Sequence, residues 1–517
     1  MSGLISKFAT VGSASMASRV LGFGREALLA TALGTGPVAD VFYTCFRFPN
    51  LFRRLFAEGA FNIAFIPLFA KELEAGGEDA ARKFGQQVFS VLASWLFVFT
   101  ALALLFMPFL VANLVAPGFT DTPEKFELSV SMTRIMFPYL LCMSLVAMFS
   151  GVLNSLRRYF LAAIVPVMLN VILIGVLILG ITLDWPDRQI GFGLAWGVVF
   201  SGVVQLAILA WGVWRVGFGF RLTLPRLTDP VKRLLVLMGP GLLTGGVLQI
   251  NLLIGTIIAT QQDGANALLN YADRLNQLPL GVIGIAVGVV LLPELSRALK
   301  AGDRDQAEQL QNRSLEFALA LTLPAAVGLM IIPQDIIAVI YERGAFDSQA
   351  TINTAMALTA FASGLPAYVM LKVFQPAFFA REDMRTPFLF SVIMVCVNIV
   401  LSLSLFPYLG HVAIAIATSV SAWVNLMLLA VTLWRKGDFK PDSATLRRLV
   451  LLLISSILMG AAILLMRSQL VQMLDASFVS QLLAVMVMIG GGALLYFAFS
   501  LATGAMQATY LKRLLRR

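Results

Sequence analysis

Long apolar stretches recur from one end of the chain to the other, separated by short charged segments. A helix needs about 20 mainly apolar residues to cross the hydrocarbon of a bilayer. Fourteen such spans can be drawn, near residues 6–33, 37–57, 86–112, 131–154, 160–182, 190–213, 234–260, 268–292, 315–334, 352–378, 387–408, 411–433, 449–466 and 480–505. A soluble globule could not keep that much apolar surface from water: 59% of the 517 residues are hydrophobic and 13% are charged, against about 25% charged in soluble proteins. The same balance excludes a disordered chain. The runs are too long and continuous for a transmembrane barrel, whose strands alternate over about ten residues. The expected fold is an all-α integral membrane protein of about fourteen transmembrane helices. Residues 58–84 begin apolar and turn charged, the pattern of an amphipathic helix lying at the interface. Arg19 and Arg25 interrupt what would be the apolar core of a cleaved leader, so the first span is expected to stay as an anchor.

The formal net charge of +10 raises the question of nucleic acid. The distribution of the charges answers it. With the N-terminus in the cytoplasm and fourteen spans, 26 of the 38 Lys and Arg residues fall on cytoplasmic segments. Four (Lys125, Arg188, Arg343, Arg467) fall on the opposite side and eight fall within spans. That asymmetry is what orients a multi-spanning protein, so both termini are expected in the cytoplasm and no nucleic acid partner is implied.

The chain also repeats itself. Arg47 in FRFPN and Arg274 in YADRL lie 227 residues apart, Pro67 and Pro293 226, Asn170 and Asn398 228, and Gly12 and Gly239 227. The near-constant offset points to duplication. Residues 1–220 (spans 1–6) and 221–440 (spans 7–12) then form two similar lobes, and 441–517 (spans 13–14) lie outside the repeat. Six spans per lobe is an even number, so both lobes enter the membrane from the same side, as a parallel repeat with a site between two halves. A duplicated bundle also serves as a scaffold or receptor, and the charges inside the spans decide between these readings.

Eight cations lie within spans (Arg19, Arg25, Arg47, Arg53, Arg54, Arg134, Arg274 and Lys372), set against the carboxylates Glu26, Asp40 and Asp273 and, at the end of span 2, Glu58. A charge at mid-bilayer costs about 2.5–3.5 kcal/mol on insertion scales, so each is expected to face a partner or a wet cavity. The excess of arginine, whose planar fork suits bidentate contact with phosphate, fits an anionic ligand. Gly22 and Gly24 flank this region of span 1, and a bend there would turn Arg19 and Arg25 toward one cavity. Asp40, Arg47 and Arg54 are spaced by seven and share a helix face; one of these arginines is a candidate partner for Asp40. Arg53 and Arg54 lie toward the cytoplasmic end, where snorkelling to headgroups competes with a cavity role. Asp273 and Arg274 are adjacent, and neighbours on a helix do not face each other. Gly246 and Leu252 occupy the positions matching Arg19 and Arg25, which puts most of the anion site in the N-terminal lobe, faced by Arg274.

Other chemistry finds little support. No GxxxxGK[ST] loop is present, and no loop is long enough for a catalytic domain. Cys45, Cys142 and Cys396 lie far apart in apolar runs and read as buried packing residues. The single histidine, His411, reads as an interfacial residue, so neither a metal site nor a catalytic constellation is expected. No cofactor is expected; energy would come from the membrane potential, a monovalent cation or the substrate gradient. Asn398 and Thr418 could ligate such a cation, although apolar helices use the same residues as packing contacts.

Four stretches carry a family resemblance: ASRVLGFGRE (17–26), ADVFYTCFRFPNLFRRLFAEGAFNIAFIP (39–67), APGF (116–119) and YADRLNQLPLGVIGIAVGVVLLPELS (271–296). They closely resemble the MurJ/MviN family, bacterial lipid II flippases of the multidrug/oligosaccharidyl-lipid/polysaccharide exporter superfamily. The resemblance runs essentially end to end. It implies an inner-membrane transporter, and no enzyme, that moves undecaprenyl-diphosphate-linked peptidoglycan precursor from the cytoplasmic to the periplasmic leaflet by alternating access. It also implies cavity roles for Arg19, Arg25, Arg53 and Arg274, and cavity or gate roles for Ser18, Asp40 and Glu58. Taken with the charge pattern, Ser18, Arg19, Arg25, Arg53 and Arg274 are expected to bind substrate, and Glu26, Asp40, Arg47, Arg54, Glu58 and Asp273 to act in gates or salt bridges. Spans 13–14 would hold the polyprenyl tail. Membrane lipids and cell-wall synthesis proteins are the further partners implied. Glu26 stands where the family commonly has Asp, and Arg47 where it often has Lys. The rivals are a cation-coupled drug exporter or another lipid-linked oligosaccharide exporter of the superfamily, and a non-transporting scaffold for cell-wall enzymes.

Overall fold

A computed structural model describes residues 2–55 and 61–506, and among them every regular element is helical. In chain order the helices are α1 (Ser2–Leu33), α2 (Pro37–Phe52), α3 (Asn62–Leu105), α4 (Met107–Leu110), α5 (Pro123–Met136), α6 (Tyr139–Ser155), α7 (Tyr159–Thr182), α8 (Asp187–Arg215) and α9 (Asp229–Ala259). They continue as α10 (Ala265–Lys300), α11 (Arg304–Ile331), α12 (Pro333–Tyr341), α13 (Ser348–Phe379), α14 (Arg385–Leu409), α15 (His411–Arg435), α16 (Ser443–Gln469), α17 (Val471–Leu474) and α18 (Phe478–Ala502). Ten helical segments among the described residues are long and apolar enough to cross a membrane by length and composition. Each of the fourteen expected spans overlaps helix among the described residues, although those near 6–33, 37–57, 234–260 and 268–292 are not among these ten. Large apolar side chains face outward along these helices: Leu494 is 74% exposed, Phe97 67% and Trp196 62%. A surface of that kind belongs in lipid.

Helix starts and stops follow local chemistry. Proline opens α2, α5 and α12, where its missing N–H would have had no intrahelical partner. Several helices end on a residue in the left-handed region with paired backbone bonds. At the end of α15, Gly437 N–H donates to Trp434 O and Asp438 N–H to Leu433 O, the Schellman arrangement. The positive-φ positions repeat along the chain: Gly34 and Gly264, Gly77 and Gly302, Arg157 and Glu382, Asp184 and Gly410, and Gly217 and Gly437 are separated by 220 to 230 residues. The duplication seen in the side chains therefore extends to the backbone turns.

The span drawn at 131–154 falls within one candidate membrane span, Pro123–Ser155, which is interrupted at Phe137–Pro138 between α5 and α6. The segment at 58–84 is helical from Asn62, and a non-helical Gly77 (φ 71°, ψ −167°) kinks it away from the rest of α3. One expectation needs correction. Cys396 is exposed on α14, while Cys45 and Cys142 are buried as expected.

The chain divides into two compact units. The first comprises Met1–Ala267 with Arg343–Phe346, and the second Leu268–Glu342 with Asp347–Arg517. In the first unit, the segment between α8 and α9 runs extended along α3. Arg221 N–H donates to Gln86 Oε1 (2.8 Å) and Thr223 N–H to Ser90 Oγ (3.1 Å). In the second unit, α13 packs Leu371, Phe374 and Phe378 against Leu426, Leu429 and Leu433 of α15 and Leu315 and Leu319 of α11. Gly364 lets α13 approach α15 closely, since a Cβ there would sit 2.5 Å from Ser419 Oγ.

Two ion pairs fix α16 in this unit. Arg448 donates to both oxygens of Glu316 on α11 (3.0 and 3.1 Å), and Arg467 to both oxygens of Asp335 on α12 (2.6 and 3.2 Å). Nineteen residues separate the two arginines, a rise of about 28 Å, close to the roughly 30 Å of bilayer hydrocarbon.

Candidate functional site: a buried ionic centre in the first unit

The first unit concentrates its buried charge in two clusters. In the first, α1, α2 and α7 meet around Arg25, which is 6% exposed, and Glu26, which is fully buried. Arg25 Nη2 pairs with Glu26 Oε1, and Arg25 Nη1 donates to Asn170 Oδ1 (3.1 Å). Tyr43 donates its hydroxyl to the other Glu26 oxygen. Asn170 Nδ2 donates to the carbonyl of Ser18 (3.0 Å) and faces its hydroxyl at 3.4 Å. Ser18, Arg25 and Glu26 are thus brought together, with Tyr43 and Asn170 completing the group. Arg25 Nε has no hydrogen-bond partner among the described residues.

Gly22 and Gly24 do not interrupt α1, which is continuous helix from Ser2 to Leu33. Gly22 serves approach instead: a Cβ there would stand 3.6 Å from the Asn170 amide. On a continuous helix Arg19 and Arg25 diverge by about 120°. Arg25 accordingly turns inward to Glu26, and Arg19 is exposed without an ion pair among the described residues.

The second cluster lies at the start of α2. Asp40, fully buried, is paired with Lys125 Nζ at 2.8 Å. Lys125 also reaches Asp263 at 2.8 Å and lies 4.1 Å from the centre of the Phe119 ring. Asp40 accepts from the backbone N–H groups of Gly264 (3.3 Å) and Asn266 (3.0 Å), so one carboxylate caps the first turn of α10 from α2. The cation for Asp40 is therefore Lys125, not Arg47 or Arg54. A spacing of seven puts those arginines on the same face, but each step of seven is about 10 Å further along the axis.

Other sequence-selected residues are placed as follows. Arg47 donates to Thr256 Oγ1 on α9 (2.8 Å). Arg53, in a π-type turn that continues α2, donates from Nε to Asn50 Oδ1 (2.7 Å), and Arg54 is exposed. Glu58 lies outside the described residues. In the second unit, Asp273 and Arg274 are both half-buried, and Asp273 accepts from Gln277. Asn398 Nδ2 donates to Thr418 Oγ1 (3.2 Å) and faces Ser421 Oγ at 3.4 Å, an ordinary polar contact between α14 and α15. His411 is buried with Nε2 2.9 Å from the Asn353 carbonyl.

Lys125 and Tyr43 were missed by sequence reasoning. Lys125 had a signal: it is one of only four cations on the side that the charge bias empties. A second of the four, Arg467, also binds a buried aspartate. A cation retained where cations are scarce marks a specific bond.

These features define a polytopic α-helical membrane protein with an ionic centre buried among its N-terminal helices. The family model described as "Lipid II flippase MurJ" matches residues 29–486. A "Probable lipid II flippase MurJ" from Rhizobium tropici is 52% identical over 460 residues, covering 89% of this chain and 86% of its own length. That of Rhizobium meliloti (strain 1021) is 49% identical, covering 99% and 96%. The solved structure "Lipid II flippase MurJ, inward closed conformation" superposes with a TM-score of 0.77 at 25% identity, covering 98% of this chain and 99% of that one. An inward-facing multidrug resistance MATE family transporter of the MOP superfamily shares the fold, with a TM-score of 0.62 at 15% identity over 81% of this chain and 95% of that one. The chain belongs to the lipid II flippase MurJ family.

Proposed function

We propose that this chain flips lipid II from the cytoplasmic to the periplasmic leaflet of a bacterial inner membrane, by alternating access and with both termini in the cytoplasm. The observation that carries the reading is the family match over residues 29–486, with relatives of that description aligned over nearly the whole chain. Residues 1–220 and 221–440 act as the two lobes, and 441–517 hold the polyprenyl tail.

The ionic centre supports a handover. Arg19 is an exposed cation for the first contact with the diphosphate. Arg25 begins paired with Glu26 and exchanges that carboxylate for phosphate oxygens, whose geometry suits the guanidinium fork. Glu26 released in this way keeps the Tyr43 hydroxyl, so it is not left bare in the protein interior, where an unpaired charge is expensive. Ser18 adds a hydroxyl, and Arg53 and Arg274 complete the cationic set. Asp40, Arg47, Arg54, Glu58 and Asp273 act in gates or bridges that remake between states. An inside-negative membrane potential drives an anionic headgroup outward, with about 2.3 kcal/mol per charge per 100 mV.

The test is depletion of the protein in its host, with measurement of total lipid II and of its exposure at the outer surface. Accumulation with lost exposure, restored by the parent chain and not by Arg25→Ala at equal membrane levels, is the expected result. Normal surface exposure after depletion would sink the flippase reading; normal function of Arg25→Ala would sink the handover alone.

A further inference from the structure

In the second unit, the turns α10–α11, α13–α14 and α15–α16 surround a cavity of about 470 Å³, within the roughly 300–1,000 Å³ of small-molecule sites. All three turns lie on the side that the charge bias assigns to the cytoplasm. Arg381 on its wall is held by Asp438, with Nε 3.2 Å from the carboxylate, and by the Ala377 carbonyl at 2.8 Å. The other charged lining residues, Lys300, Arg304, Glu308 and Glu382, make no ion pair with a described residue. The cavity thus offers two free cations and two free carboxylates. Three helix C-termini, those of α10, α13 and α15, also end at it, and their carbonyl dipoles favour positive charge.

Glu382 is a further sign. It occupies the left-handed position that ends α13 (φ 61°), with Glu382 N–H bonded to Phe379 O and Asp383 N–H to Phe378 O. At the same kind of turn α10 and α15 use Gly302 and Gly437. A side chain in this conformation is disfavoured relative to glycine, yet here a carboxylate is presented to the cavity.

We propose that this cavity binds a zwitterionic phosphoethanolamine group, with the phosphate on Lys300 and Arg304 and the ammonium on Glu382 and Glu308. Phosphatidylethanolamine of the cytoplasmic leaflet is the source. Trp434 (61% exposed) stands in the last helical turn of α15 and Met384 (59% exposed) just before α14, and tryptophan at a helix end marks the headgroup level. The site is separate from the ionic centre of the first unit, and its occupancy does not depend on which substrate is transported.

The full-length protein in detergent is titrated with short-chain phosphatidylethanolamine, short-chain phosphatidylglycerol and free phosphoethanolamine, with bound molecules counted by native mass spectrometry. Phosphatidylethanolamine is expected to fill one site about tenfold more tightly than phosphatidylglycerol, the scale of one charge-assisted contact. Glu382→Gly, which relieves the backbone, is expected to melt no lower than the parent and to lose that preference. Lys300→Gln with Arg304→Gln is expected to weaken both lipids. Equal binding of the two lipids, or an undiminished preference in Glu382→Gly, overturns the proposal. Free phosphoethanolamine binding as tightly as the lipid overturns the assignment to the membrane.

Discussion

Asn170 on α7 and Asn398 on α14 are related by the internal repeat, and their surroundings differ. Asn170 receives a guanidinium hydrogen bond and anchors Ser18 on α1. Asn398 donates only to hydroxyls of the neighbouring helix. In the sequence repeat the positions matching Arg25 and Glu26 hold Leu252 and Leu253, and Asn398 faces α15 instead. Duplication supplied two equivalent amide positions between helices, and charge was placed beside one of them. A neutral interhelical hydrogen bond in a membrane contributes about 0.6 kcal/mol. Removing one partner of a buried ion pair costs about 3–5 kcal/mol. Equal scaffolds therefore carry very unequal stakes.

The largest effect should come from Glu26→Leu, which leaves Arg25 buried with an unanswered charge. A loss of about 3–5 kcal/mol is expected, read by denaturation in micelles, and much of it should return in Arg25→Met with Glu26→Leu. A Glu26→Leu chain as stable as the parent would erase the contrast between the halves. Lys125→Met comes next. It strands buried Asp40 but leaves the solvent-exposed Asp263 able to rehydrate, so about 3 kcal/mol is expected, with partial recovery on adding Asp40→Asn. Failure of that recovery would mean that Lys125 acts through packing on Phe119.

The direct test of the comparison is smaller. Asn170→Ala should cost about 1.5–3 kcal/mol, as a hydrogen bond to a charged group, and Asn398→Ala about 0.6 kcal/mol; equal melting shifts would contradict the assigned difference. A comparably small effect concerns α14, where Thr386 N–H and its hydroxyl bind Asp383 and hold its carboxyl below the usual 3.8. Arg158, its counterpart before α7, offers no side-chain cap. Because the folded value is depressed, this stabilisation is fully present above 3.8 and is lost as pH falls through the lower folded value. Asp383→Ala should cost about 1 kcal/mol near neutrality and flatten the acid limb of a melting-temperature series. An unchanged acid limb would remove the cap from the account.

The helices were legible because apolar length is a property of the sequence alone, and each expected span met a helix. The break before Tyr139 was hidden because Phe137 and Pro138 sit inside an apolar run, where proline is tolerated in membrane helices. The ionic centre was legible as a set of residue types and less so as a set of pairs. The rule that adjacent helix residues do not face each other describes where side chains leave the backbone. An arginine is long enough to curl past that limit, as Arg25 does toward Glu26. Lys125 was counted as topology because counting treats every cation alike, and only the three-dimensional approach of Asp40 distinguishes it.

The two arginines of α16 impose a constraint of a mechanical kind. A rod fastened at one end can still swivel or slide, whereas one fastened at both ends can do neither. Arg448 on Glu316 and Arg467 on Asp335 fasten α16 near each end. Sliding α16 along its axis or turning it would therefore break one of these paired contacts. Any displacement that keeps both pairs would have to carry α16 together with α11 and α12, as one cargo-bearing unit.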